Sequence, residues 1–181
     1  SQDAASIRDA GITRFRYEIT DVSFTDYEPG TVELVFDSGA FADLAGSVSA
    51  PITLSVAVEG PTAELAGPYD GGEIDIAELN GSGYIDVTYT ASNGATLDTG
   101  SIVDTGSLAE SEFALSGAGV GTAAVDLSRA PELLEQAGSS ATYRYYLTGE
   151  FAVGLVEVAF AAGGFADSAY ENAETFASFV V

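Results

Sequence analysis

Apolar and polar residues alternate with a period of two along most of the chain. Thr13-Arg14-Phe15-Arg16-Tyr17-Glu18-Ile19 is the first such run, followed by Val32-Glu33-Leu34-Val35-Phe36 and Ile52-Thr53-Leu54-Ser55-Val56-Ala57-Val58. Tyr84-Ile85-Asp86-Val87-Thr88-Tyr89-Thr90 repeats the pattern. Later runs begin at Glu112, Ala123, Tyr143, Leu155 and Phe176. Each is short, rich in β-branched and aromatic residues, and bounded by Gly, Asn, Asp or Ser, which marks strands separated by turns. Helix is scarce. Residues 130–138 are expected to make a helical turn or two, started by Pro131 and stopped by Gly138. Residues 168–176 read as loop or a short turn. In the strand around Tyr143, alternation puts Tyr143 and Tyr145 on one face and Tyr146 on the other. Core packing is the expected use of the buried face, and stacking on a sugar is the alternative. The class these runs predict is all-β, an antiparallel sandwich.

An internal repeat organises the strands. Gly30-Thr-Val-Glu-Leu-Val-Phe-Asp-Ser-Gly-Ala-Phe-Ala-Asp-Leu-Ala45 matches Gly154-Leu-Val-Glu-Val-Ala-Phe-Ala-Ala-Gly-Gly-Phe-Ala-Asp-Ser-Ala169 at nine of sixteen positions. The offset is about 124 residues, one domain-sized period. Phe15-Arg16-Tyr17 precedes the first copy as Tyr143-Arg144-Tyr145 precedes the second, and a closing apolar strand follows each. The chain therefore divides into residues 1–12, a linker or donated segment; 13–59, the later half of a repeat; and 60–181, a complete repeat. The complete repeat holds about eight strand-like runs, enough for two sheets. The half holds about four, too few to close a two-sheet core alone.

Composition narrows the chemistry. Five basic residues, all arginine, stand against 28 acids, for a formal charge of −23, and Cys, His, Met, Trp and Lys are absent. Hydrophobic residues still make up 46%, so the chain has material for a core. Without Cys or His there is no thiolate, disulfide, Ser-His-Asp triad or imidazole metal site. Without Lys there is no Schiff base. The charge repels phosphate, so neither nucleic acid nor insertion into a membrane is expected, and no apolar run approaches the roughly 18 residues of a span. No basic stretch leading into an apolar core opens the sequence, so no amino-terminal export signal is read. Carboxylate chemistry remains: paired-acid hydrolysis, for which nothing marks a cleft, or oxygen coordination of hard cations.

Several motifs carry a family resemblance. They are Gly60-Pro61-Thr62-Ala63-Glu64-Leu65-Ala66, Leu79-Asn80-Gly81-Ser82-Gly83-Tyr84-Ile85-Asp86-Val87-Thr88-Tyr89, Phe113-Ala114-Leu115-Ser116-Gly117-Ala118-Gly119-Val120, and the stretch from Thr142-Tyr143-Arg144-Tyr145-Tyr146-Leu147-Thr148-Gly149-Glu150-Phe151 into Gly163-Gly164-Phe165-Ala166-Asp167-Ser168-Ala169. In this order they resemble the bacterial Ig-like repeats of very large secreted surface proteins, many of them type I-secreted adhesins with calcium-binding RTX regions. Such repeats commonly read Asp-x-Ala-Gly-Asn after the aromatic. Asp43-Leu44-Ala45-Gly46-Ser47 keeps the Gly without the Asn, the second copy loses the Gly, and the RTX nonapeptide is missing. The resemblance implies an Ig-like sandwich and an extracellular, cell-surface location.

Calcium is the cation such a protein would take. The candidate ligands are Asp43 and Asp167 in the repeated loop, Glu59 at the repeat boundary, Asp70 before Gly71-Gly72, and Asp98 with Asp104 in a further loop. Each also fits plain turn chemistry, in which the carboxylate accepts from nearby backbone N–H groups. In Phe41/Asp43 and Phe165/Asp167 the Phe is expected to plug the core while the Asp caps the loop. The expected role is non-enzymatic: a structural or adhesive repeat segment stiffened by Ca²⁺, with neighbouring repeats or identical subunits as partners. A filament or layer subunit joined by strand complementation is the alternative, and a carbohydrate-binding module taking a glycan or cell-surface ligand is a further one.

Overall fold

The computed structural model describes residues 7–9, 12–14, 29–103 and 112–181, and of residues 7–9 and 12–14 the backbone alone. The strands are β1 (Ile7–Asp9), β2 (Ile12–Arg14), β3 (Gly30–Phe36), β4 (Ile52–Val58), β5 (Thr62–Gly67), β6 (Gly72–Glu73) and β7 (Tyr84–Thr90). They continue with β8 (Phe113–Ser116), β9 (Ala124–Val125), β10 (Glu132–Ala137), β11 (Ser140–Thr148), β12 (Leu155–Phe160) and β13 (Thr175–Val180). Two short helices, α1 (Ile76–Ser82) and α2 (Thr99–Ile102), lie between strands. The fold is all-β.

Residues from β5 onward form two sheets around one core. One runs β10-β11-β7-β5, with β9 paired to the far end of β11; the other runs β6-β13-β12-β8. Pairing is antiparallel except between β13 and β6. Alternation along β7 sends Ile85, Val87 and Tyr89 fully inward while Asp86 and Thr88 face out. Val156, Val158 and Phe160 of β12 answer from the opposite sheet. Rings meet across the gap: Phe113 stands edge-on to Tyr145 at 5.0 Å, and Phe165 edge-on to Tyr89 at 4.8 Å. Burying each such side chain contributes about 1.5–3 kcal/mol, and this core holds the sandwich together. The two central tyrosines, Tyr89 and Tyr145, share a hydroxyl–hydroxyl hydrogen bond of 2.7 Å. Tyr143 and Tyr145 thus serve the core, as alternation indicates.

Within residues 130–138, Glu132–Ala137 are a strand and not the expected helix. Leu133-Leu134-Glu135-Gln136-Ala137 has helical propensity, but nine residues cannot repay helix nucleation without a docking face. The free edge of β11 offers ladder pairing instead, from Glu132↔Arg144 to Ala137↔Ser140, with a bulge at Leu134. Gly138, at φ 61°, begins the two-residue hairpin turn instead of ending a helix. Helix α1 lies where the sequence pattern predicts no element. Its local signals are nevertheless complete: Asp75 caps the N–H groups of Ala77 and Glu78, Gly83 closes the C-terminus at φ 67°, and Leu79 is buried.

The earlier residues build a second copy of part of this architecture. β3 pairs with β4 from Gly30↔Val58 to Phe36↔Ile52. β12 pairs with β13 in the same way, and Gly154 exchanges hydrogen bonds with Val181 where Gly30 stands opposite Val58. β1 pairs antiparallel with β2 from Ile7↔Arg14 to Asp9↔Ile12, as β10 pairs with β11 from Glu135↔Thr142 to Ala137↔Ser140.

Candidate functional site

The duplicated feature is the loop that leaves β3 and β12. In both copies a Gly with positive φ (Gly39 at 80°, Gly163 at 74°) turns the chain where a Cβ would be strained. The loop bonds then coincide. Gly39 donates to Ser49 O at 2.9 Å and Ser49 to Phe41 O at 2.9 Å; Gly163 donates to Asn172 O at 3.0 Å and Asn172 to Phe165 O at 2.9 Å. Even the side-chain acceptor is kept, since Phe41 N donates to Ser49 Oγ and Phe165 N to Asn172 Oδ1. The sequence repeat is therefore a repeat of hydrogen bonds. The second copy adds buried Asn172, whose Nδ2 donates to Ala161 O at 2.8 Å and Ala173 O at 2.9 Å.

The two aspartates illustrate what the copies share and where they differ. Asp43 Oδ1 accepts from Ala45 N at 2.8 Å and Ser47 N at 2.9 Å. Asp167 Oδ1 likewise accepts from Ala169 N and Tyr170 N, both at 2.8 Å. Asp167 Oδ2 takes two further bonds, from Ser92 N at 2.7 Å and Ser92 Oγ at 2.6 Å. Ser92 follows β7 in the other sheet, so this carboxylate ties the two sheets together at one end of the sandwich. The tie is reinforced by Asp98 N to Ala166 O and Ser168 N to Thr96 O. Burial works against the Asp167 charge, but the Ser92 and turn hydrogen bonds outweigh it and hold the carboxyl below its ordinary value. Asp43 is also held low, chiefly by the Ser47 N–H.

The other acids singled out from the sequence are placed separately. Asp70 accepts from Ser178 N at 2.7 Å and fastens the β6 turn to β13. Asp98 caps α2 through Gly100 N at 3.0 Å. Glu59 is exposed at the boundary between the copies, and Asp104 lies outside the described residues. Among the described residues no three acids gather as a metal-binding group. The Asp167 carboxylate already accepts four hydrogen bonds, close to its full capacity, so a cation there would have to displace them. Asp43, Asp98 and Asp167 accept from nearby backbone N–H groups, the turn and capping chemistry that their sequence contexts also suggested, whereas Asp70 accepts from a strand 108 positions away.

Two polar groups escaped the sequence reading. Ser92 sits in an ordinary Ala-Ser-Asn-Gly turn, and only the fold brings it to Asp167. Asn80 on α1 accepts from Phe151 N at 2.8 Å and donates to Phe151 O, pinning a loop 71 residues away. On the outer face of β11, Arg144 grips Asp86 with two bonds of 2.8 Å and lies 3.5 Å over the Tyr84 ring. Neighbouring Tyr146 donates to Glu132 beneath the Arg129 guanidinium. A depression of about 220 Å³ between β8 and β9, lined by Leu115, Ala123 and Leu127 among others, is below the usual size of a ligand pocket. No described helix is long and apolar enough to cross a membrane. No family model matches the chain, and no curated protein or solved structure matches it.

Proposed function

We propose that this chain is a non-enzymatic structural segment of a bacterial cell-surface protein, built from Ig-like repeats and acting as a spacer or adhesive rod. The observation that carries the reading is the duplicated hairpin. The same strands, the same loop hydrogen bonds and the same capping aspartate recur about one domain length apart, and a chain gains reach by such duplication. Composition supports it: a charge of −23 with no Cys, His or Lys suits a soluble, mutually repelling polymer better than a catalyst. Surface labelling tests the reading. Antibody against the purified chain should stain intact cells of the source organism, and protease shaving should remove the signal. Staining that requires permeabilised cells refutes it.

Calcium stiffening belongs to the same reading and has its own test. Millimolar Ca²⁺ should raise the melting temperature above the value in EDTA by more than NaCl of equal ionic strength does, because screening alone also relieves acidic repulsion. Identical curves in the two salts remove calcium and leave the repeat reading standing. A second reading, assembly through unfinished strands, is favoured by one observation: the apolar face of β3 and β4 is open to solvent.

A further inference from the structure

The hairpin β3–β4 has the side chains of a core without the core. Cross-strand pairing puts Val32 with Val56, Leu34 with Leu54 and Phe36 with Ile52 on one face. Leu34, Leu54 and Val56 are each about half exposed, at 47%, 51% and 52%. At the equivalent positions of β12–β13, Val158 and Phe179 are at 0% and Ala177 is half-buried against the core, and Val156 and Phe160 beside them are also at 0%. Phe41 is 55% exposed where Phe165 is 1% exposed. The register is shared throughout and the inward alternation of β3 is that of β12, so the difference in burial comes from what lies over the face.

The complete repeat shows what does the covering. The sheet of β5, β7 and β11 lies over β12–β13, and β8 adds to the outer edge of β12 in the register Phe160↔Phe113, Ala159↔Ala114, Val158↔Leu115. Ser92, between β7 and α2, completes the bonding of Asp167. Strands β5–β9, the first half of the repeat, thus supply every missing element except the β10–β11 pair, which β1–β2 matches over three residue pairs. Among the described residues the first half occurs once and the second half twice. A second copy of this chain brings the same imbalance and so offers no spare first half.

We propose that the β3–β4 face is the seat of another first half of this repeat, joined ahead of β1 as residues 62–125 are joined ahead of β10. Its β8-type strand adds to the edge of β3 with its Phe opposite Phe36, its β7-type strand covers Leu34, Leu54 and Val56, and its Ser92-type turn reaches Asp43. The inference rests on the internal repeat and is independent of the cell-surface role.

The test is the full chain with a second copy of its own residues 60–128 fused ahead of Ser1, compared with the full chain alone. In the fusion, amide exchange across Val32–Phe36 and Ile52–Val58 should slow about a hundredfold or more. Leu34→Asp should abolish that slowing while exchange in β12 and β13 stays unchanged. Because the chain has no cysteine, register can be read separately. Val35→Cys together with Ala114→Cys in the fused copy should crosslink, as the equivalent Ala159↔Ala114 pairing requires, and moving either cysteine by one residue should prevent it. Unchanged exchange without crosslinking overturns the proposal. So does exchange in the unfused chain that slows with its own concentration, since a second copy would then be the occupant.

Discussion

Phe41 and Phe165 occupy the same place in two copies of one loop, so truncating each to Ala separates sequence from environment. Phe165 is buried, and its ring packs edge-on to Tyr89 at 4.8 Å. Removing it leaves a cavity in a close-packed core, at a cost of about 3–5 kcal/mol. Of that, about 0.5–1.5 kcal/mol belongs to the aromatic pair. Against a total stability of about 5–15 kcal/mol for a domain, the variant should melt about 10–20 °C lower. Phe41 is 55% exposed, and Phe41→Ala should change stability by about 0.5 kcal/mol or less. The assay is urea unfolding followed by the near-ultraviolet dichroism of the tyrosines, with both single variants and the double variant. The double should equal Phe165→Ala within about 0.5 kcal/mol. Equal losses from the two single variants would refute the reasoning, because they would place both rings in finished cores.

Three other outcomes follow from the same structure. The Asp167 carboxyl is held below its ordinary value, so its contribution is complete above about pH 4 and is lost as pH falls through the lowered folded value. Asp167→Asn should therefore cost about 1–3 kcal/mol at neutral pH and flatten the acid limb of a stability–pH profile, whereas Asp43→Asn should leave the main unfolding transition where it is. Burial raises the Tyr89 and Tyr145 hydroxyls well above the usual tyrosine range. Stability from this pair is present below about pH 10 and lost as pH rises above it, and an absorbance titration at alkaline pH should show both ionising only with unfolding. Arg144→Lys keeps the charge but loses the two-pronged grip on Asp86 and the flat contact with Tyr84. Its expected cost is about 1 kcal/mol in denaturant unfolding, after allowance for solvent screening of a partly exposed pair.

Much of the fold was legible because a half-buried sheet writes its period into the chain. The runs Ile52–Val58 and Tyr84–Thr90 are strands with the same ends in the structure, and the run that begins at Leu155 is β12. Elements with weak periodicity were not legible. Strand β6 has two residues, and β10 is exposed throughout and held only by the edge of β11. The candidate site was half legible. That Asp43 and Asp167 cap a turn follows from local chemistry, but the bond from Ser92 to Asp167 spans 75 positions, and no local pattern specifies it.

The sequence by itself determined the strand class, the acidic surface, the duplicated hairpin and its capping aspartate, because each depends on residues within a few positions of one another. The tertiary structure alone decided which copy of the hairpin is finished. Val32, Leu34 and Phe36 carry the same alternation as Val156, Val158 and Phe160, and nothing local distinguishes them. Burial is a property of what lies opposite. The sheet of β5, β7 and β11 lies opposite the second copy, and among the described residues no sheet lies opposite the first.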